Sequence, residues 1–396
     1  MAHDPVVILS YARTPIGSFN GALAGVPATE LGATAVRQAV ARAGVEGSAI
    51  DRIYMGCVLS AGLGQAPARQ AGIKAGLPQS VEATTVNKMC GSGMQAAIMG
   101  AEALAAGSVE LVVAGGMESM SGAPYLSPAH RSGARMGHDR LLDHMMLDGL
   151  EDAYEPGRAM GTFGDDAARE YQLTRQGQDE FAIASMERAK KAQESGAFDR
   201  EIVGVEVTSR KGTLVVDKDE EPQRAFDAAK VSTLRPAFSK DGTITAANAS
   251  KISDGAAALV LTRESVAERL GVKPVARLLA HAAHAQEPAR FTSAPVGAVR
   301  KLLERAGWSA RDIELFEVNE AFACVAMIAM RDLGIEHGIT NVHGGATALG
   351  HPIGASGARI MATLLSAMET HGRKRGVASL CIGGGEATAV AVELVD

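Results

Sequence analysis

The feature that most restricts the fold is a segment that occurs twice. In the first copy, Gly91-Ser92-Gly93 opens an Ala-rich stretch and leads to Val112-Val113-Ala114-Gly115-Gly116-Met117-Glu118. In the second, Ala355-Ser356-Gly357 opens a stretch through Ala367 and leads to Leu380-Cys381-Ile382-Gly383-Gly384-Gly385-Glu386. A small-residue turn, a helix and a strand that recur late in the chain imply duplication of one α/β domain. The paired helices would then meet at a pseudo-twofold axis. Cys90 and His351, each just ahead of its copy's helix, would approach each other there.

The surrounding pattern fits that picture. Met94, Ala97, Ile98, Ala101 and Leu104 recur at helical spacing, and the remaining surface is small, so this helix reads as buried on all sides. Residues 5–120 alternate strands (6–10, 53–58, 82–86, 109–114) with helices (28–43, 66–75, 94–106). That rhythm predicts a mostly parallel sheet covered on both faces. From about 121 to 242 the chain turns polar and irregular, with one strong helix over 175–195, and reads as an insertion. The α/β rhythm returns with strands at 256–261, 275–280, 314–317, near Val342, 377–382 and 387–394, and helices at 296–306 and 321–332. The expected units are 1–120 with 243–272, an inserted 121–242, and 273–396.

Composition excludes several classes. Hydrophobic residues make up 46% of 396, too many for a disordered chain, and 45 glycines with only 4% aromatics imply close packing of small side chains. No apolar run approaches the ~20 residues of a membrane span. Residues 1–8 carry no basic leader and enter a strand directly, so a cytoplasmic protein without membrane attachment is expected. Four cysteines (Cys57, Cys90, Cys324, Cys381), none in C-x-x-C spacing, make neither a disulfide framework nor a metal site. A net charge of −6 argues against nucleic-acid partners. Arg158, Arg210, Arg224, Lys230 and Arg235 nevertheless concentrate in the inserted stretch, where they suit either a phosphate-bearing ligand or a solvated loop surface.

Four short segments carry candidate chemistry. Cys90 stands at a strand-to-helix turn near the positive end of a helix dipole, which biases a thiol towards thiolate. The other reading is a small buried Cys packed like Ala. His351, between Gly350 and Pro352, sits in a constrained loop where an imidazole can take a proton and then hold an oxyanion, or is a plain loop His. Cys381 follows a strand and precedes three glycines that lack nucleotide-loop spacing. It reads as a second thiol beside free N–H groups, with a pKa near the ordinary ~8.5, or as a buried core Cys. Asn319 is placed to start a helix after a strand, where a simple N-cap is the alternative.

Together, Asn87-Lys88-Met89-Cys90-Gly91-Ser92-Gly93, Asn319-Glu320-Ala321-Phe322-Ala323, Gly350-His351-Pro352-Ile353-Gly354 and Cys381-Ile382-Gly383-Gly384-Gly385 resemble, in order and spacing, the four signatures of the thiolase family. The short-chain branch is the most similar. The resemblance implies a five-layered αβαβα fold with an inserted loop domain, and a homotetramer. It implies a reversible condensation of two acetyl-CoA through an acyl-cysteine, with broader-chain 3-ketoacyl-CoA thiolysis in fatty-acid breakdown as the alternative. Cys90 would be the nucleophile, His351 its base, Cys381 the acid/base, and Asn319 the holder of an oxyanion-site water. The N–H groups of Cys90 and Gly383 would form a second oxyanion site. Coenzyme A and its thioesters would be substrates, with no tightly bound cofactor and no metal. Arg224, Leu234, Ala237, Phe238, Ser250, Met160, Ala321 and Phe322 would contact coenzyme A. Ala159, His343 and Glu386 stand where family members more often carry His, Asn and Met.

Overall fold

The computed structural model describes residues 4–210 and 212–395. The strands of the main sheet are β1 (Val6–Arg13), β2 (Arg52–Gly56), β3 (Glu82–Val86), β4 (Leu111–Ser119), β5 (Ser253–Arg263), β6 (Ala276–Ala285), β7 (Leu315–Val318), β8 (Arg375–Ile382) and β9 (Glu386–Leu394). The principal helices are α1 (Ala28–Ala43), α2 (Pro67–Lys74), α3 (Ser92–Ala105), α4 (Met160–Glu170), α5 (Arg175–Glu194), α6 (Ala294–Ala306), α7 (Ala323–Leu333) and α8 (Ser356–His371). Strand order is β7-β8-β9-β6-β1-β5-β4-β2-β3. The halves join where β1 meets β6 through only two residue pairs, Val7 with Arg277 and Ile8 with Ala276.

The sheet is mixed rather than mostly parallel. Only β2 with β3 and β4, and β7 with β8, run parallel. The long pairings β1–β5, β4–β5, β6–β9 and β8–β9 are antiparallel. The rhythm of strands and helices misleads here because β5 and β9 return antiparallel beside β4 and β8, and hydrophobic content does not encode direction. The expected strand near Val342 is also missing. Thr340 makes a single parallel bridge to Phe316, and then Asn341 turns the chain away at φ +49°.

Five layers result. α1 packs on β1, β4 and β5, with α2 against it; α3 lies on the other face of β2 and β4. α8 contacts α3 and covers β5, β7 and β8, while α6 packs on the far side of β6, β8 and β9 with α7 beside it. The central pair cross in close contact. A Cβ on Gly93 would lie 2.8 Å from the Ala358 backbone nitrogen, and one on Gly357 only 2.3 Å from that of Met94. The reciprocal approach is what a pseudo-twofold between the repeats requires, and only glycine permits it. Every residue of α8 from Ser356 to Met368 is buried.

The stretch between β4 and β5 contains α4, which the polar pattern concealed, besides α5 and a hairpin over Val205–Ser209 and Gly212–Val216. It is tied to β1 by Arg13, fully buried, whose guanidinium donates to Glu201 at 2.8 Å and to both oxygens of Asp219 at 2.7 and 2.8 Å. Removing one member of such a buried group costs about 3–5 kcal/mol, because the others stay charged and unpaired.

Gly357→Ala should lower stability to chemical denaturation by about 1–3 kcal/mol, since backbone rather than a flexible side chain must move. Gly25→Ala, with nothing within 4 Å, should be neutral. Equal midpoints for the two variants would refute the steric account of the crossing.

Candidate active site

Cys90 is held in a strained elbow between β3 and α3. Met89 before it adopts φ +46°, a left-handed conformation costly for a side chain of this size. The turn is fixed by Ser92, whose Oγ accepts the Lys88 N–H at 2.9 Å and donates to the Met89 carbonyl at 2.6 Å. Asn87 Oδ1 accepts the Met89 N–H at 3.0 Å. At Gly91 a Cβ would sit 2.4 Å from Ile382 Cδ1, so glycine lets the end of β8 close onto the elbow. The backbone N–H groups of Gly383 and of Cys90 itself lie near enough to the Cys90 sulfur to favour its thiolate form.

His351 precedes α8 and is 6% exposed. Its Nδ1 lies 2.5 Å from Ser356 Oγ, and that hydroxyl donates to the Pro352 carbonyl at 2.9 Å. The hydroxyl proton being committed, Nδ1 must be the donor, which leaves the Nε2 lone pair free. Burial, with a smaller push from Arg359, brings the imidazole down to about 3. It is therefore a neutral base at physiological pH. The His351 loop is anchored by Glu118, fully buried, whose carboxylate accepts N–H groups from Gly354 (2.8 Å), Val58 (3.1 Å) and Leu59 (3.0 Å). Burial raises Glu118 to about 7 in spite of those bonds.

Asn319 is no helix cap: α7 begins at Ala323 with Phe322 as its N-cap. Asn319 Oδ1 accepts from Arg359 Nη2 at 3.3 Å, which orients the Nδ2 towards His351 Nε2, 3.5 Å away. The alternative reading as a plain cap fails because four residues separate β7 from the first turn of α7.

The thiols also differ from expectation. Burial pushes Cys90 up to about 11, outweighing the Gly383 and Cys90 N–H groups, so the resting sulfur is a thiol and not a thiolate. The dipole argument overestimated a bias that operates from outside the helix while desolvation acts at the atom. Cys381, the second-last residue of β8 and 1% exposed, is raised well above its ordinary value, first by burial and then by neighbouring Cys90 and Cys324. The prediction of a near-normal pKa is overturned by the same cause.

These groups share one cavity of about 310 Å³, whose wall includes Cys90, His351, Cys381, Gly383, Ser250, Met160, Ala321 and Phe322. A second, of about 460 Å³, begins at His351, Ser250, Met160 and Phe322 and continues past Ala159, Ala237, Phe238 and Arg224. A third, of about 440 Å³, shares Arg224 and carries Leu234. Twelve of the thirteen expected site residues thus fall on one connected surface. Asn319 adjoins it through His351. The sequence reading missed Ser356, Glu118 and Arg359 as supports, although Ser356 and Glu118 stood in the repeat that opened it. It also missed Lys251, which lines the second and third cavities and is lowered to about 8, mainly by burial.

The family model for the thiolase N-terminal domain matches residues 6–265, and that for the thiolase C-terminal domain matches 272–394. The chain is 49% identical to an acetyl-CoA acetyltransferase of Rhizobium meliloti, over 99% of this chain and 100% of the relative. It is likewise 49% identical to one from Cupriavidus necator, over 98% and 99%. A crystal structure of the Bacillus anthracis acetyl-CoA acetyltransferase superposes with a TM-score of 0.97 at 39% identity, covering 100% of both chains.

With Cys90 near 11 and His351 near 3, both groups are uncharged at pH 7, and the thiolate fraction grows as pH rises towards 11. Iodoacetamide should therefore alkylate Cys90 in the free protein about tenfold faster per pH unit between 7 and 9. A rate already level from pH 6 would mean a standing thiolate–imidazolium pair instead. Ser356→Ala should release the tautomer of His351 and slow turnover by about 10-fold or more, within the ~10²–10⁴ that a positioned base supplies.

Proposed function

This chain belongs to the thiolase family, and we propose that it is an acyltransferase that condenses two acetyl-CoA to acetoacetyl-CoA and CoA and catalyses the reverse thiolysis. The observation that carries the reading is the convergence of two thiols, a neutral imidazole and two sulfur-facing N–H groups on one cavity.

In thiolysis, His351 Nε2 takes the Cys90 proton as sulfur attacks the 3-keto carbon of acetoacetyl-CoA. The oxyanion formed lies against the N–H groups of Cys90 and Gly383. Cleavage of the C2–C3 bond leaves acetyl-Cys90 and the enolate of acetyl-CoA. The enolate oxygen is held by protonated His351 and by a water on Asn319. Cys381 gives its proton to C2, and acetyl-CoA departs. Free CoA then yields its thiol proton to the Cys381 thiolate and attacks acetyl-Cys90, whose sulfur leaves and regains its proton from His351. Condensation is the reverse. A raised Cys381 pKa serves both directions: the thiol is protonated when an acid is needed, and its thiolate is a strong base for an acetyl α-proton.

The second and third cavities offer coenzyme A an apolar slot beside Phe238 and Phe322 and a basic mouth at Arg224 and Lys251. The stretch 121–242 supplies much of that channel, in keeping with an inserted substrate-binding unit between 1–120 with 243–272 and 273–396. We place the protein in the cytoplasm, in fatty-acid metabolism, as a homotetramer. No helix among the described residues is long and apolar enough to cross a membrane. Exposed Tyr125, Met136 and Leu141 offer apolar surface for subunit contacts.

Cys381→Ser should accumulate acetyl-Cys90 from acetyl-CoA, seen as an acetyl mass increment, while condensation falls by about 10²–10⁴. Stopped-flow acylation and steady-state condensation on that variant decide the matter; equal losses in both would remove Cys381 from its separate proton-carrying role. Thiolysis across acyl lengths, with a maximum at acetoacetyl-CoA, separates this reading from broader-chain use.

A further inference from the structure

A cavity of about 370 Å³ lies away from the three just described, and α5 divides them. Ala182, Ile183 and Met186 line the third cavity. Arg188, Lys191 and Ala192, on the opposite side of the helix at ~100° per residue, line this one. Its other walls are the loop ending in Val342–His343 and the C-terminal end of α8, with His371 and Arg373. Among the described residues, no carboxylate belongs to the lining.

Among the described residues Arg188 forms no ion pair and donates to backbone carbonyls, those of Thr340 (2.8 Å), Asn341 (3.3 Å) and His337 (3.1 Å), with Glu320 and Glu317 acting on it from a distance. Arg373 reaches a carboxylate only at 3.7 Å, on Glu314. His343, 4% exposed, has its Nε2 3.1 Å from His371 Nε2, a spacing that admits one proton between the two rings. Its Nδ1 is buried without a hydrogen-bond partner. Burial, then His371 and Arg13, lowers His343 to about 4, so this ring is neutral at physiological pH. Three permanent cations and two imidazoles around one concavity form the donor set that a multiply charged oxyanion satisfies.

We propose that this cavity binds a dianionic or trianionic oxyanion, a phosphate group or a small polycarboxylate, between the α5 cations and the His343–His371 pair. The site is distinct from the coenzyme A channel. The loop that Arg188 holds includes Asn341, whose side chain braces Val318, the residue before Asn319, so the anion would sit behind the reaction cavity.

The test is calorimetric titration of the full chain, saturated with CoA to fill the channel, with sodium phosphate and separately with citrate at ionic strength matched by sodium chloride. A saturable one-site isotherm with either anion is expected, and which anion binds identifies the source as phosphate ester or polycarboxylate. K191A/H371A should weaken it by about tenfold or more, the worth of one charged hydrogen bond, with unchanged melting temperature and kcat. Should the double variant not fold, R373Q carries the same comparison. Absence of a saturable isotherm with both anions, or an affinity unaltered by the substitutions, overturns the proposal.

Discussion

Everything in the site depends on how closely α3 and α8 cross. Because Gly93 and Gly357 present no Cβ to each other's helix, the two helices meet backbone to backbone. Their N-terminal ends are then brought to one point, Cys90 ahead of one and His351 ahead of the other. The crossing also fixes the spacing of the sheet halves: β4 carries Glu118 next to its end on one side, and β8 carries Cys381 next to its end on the other. Glu118 then holds Gly354 of the opposite repeat, so the junction is locked by a buried carboxylate as well as by packing.

Such depth has an electrostatic consequence. Both thiols are pushed up and the imidazole down by the same loss of water, so the resting site holds neutral groups rather than an ion pair. Neutral groups are cheap to bury, whereas an isolated thiolate is not. Charge has to develop during the reaction, at atoms already facing N–H groups, which is where preorganised donors have the most effect. Arg359 extends this logic outward. Buried beside Glu317 at 3.8 Å, it orients Asn319 and disfavours a second positive charge on His351. Glu317 is in turn raised to about 8, chiefly by its own burial.

The sequence disclosed what repeats and what punctuates. The duplicated helix starts located both central helices, and Cys90, His351 and Cys381 stood out because small residues flank them. Strand direction was not legible, since buried parallel and antiparallel strands such as β4 and β5 are equally apolar. Nor were the protonation states, which depend on burial from segments far apart in the chain. Ser356 illustrates the same limit at one residue: its value to His351 rests on a hydroxyl already committed to Pro352, a fact of geometry alone.

The two halves keep one framework and use it differently. Ser92 and Ser356 occupy the same place in the repeat, yet Ser92 bonds only backbone and shapes the elbow that projects a thiol. Ser356 bonds an imidazole and sets its tautomer. At the sheet edges, β3 pairs fully with β2, while its counterpart beside β7 shrinks to the Thr340–Phe316 bridge. The residue that ends it, Asn341, bonds Val318 through both its N–H and its carbonyl and also reaches Glu320 at 2.8 Å. A side chain thus replaces the missing strand's ladder at the point where the backbone delivers Asn319. Where the first half delivers Cys90 to the axis from a complete edge strand, the second half delivers His351 from a segment that leaves the sheet at Asn341.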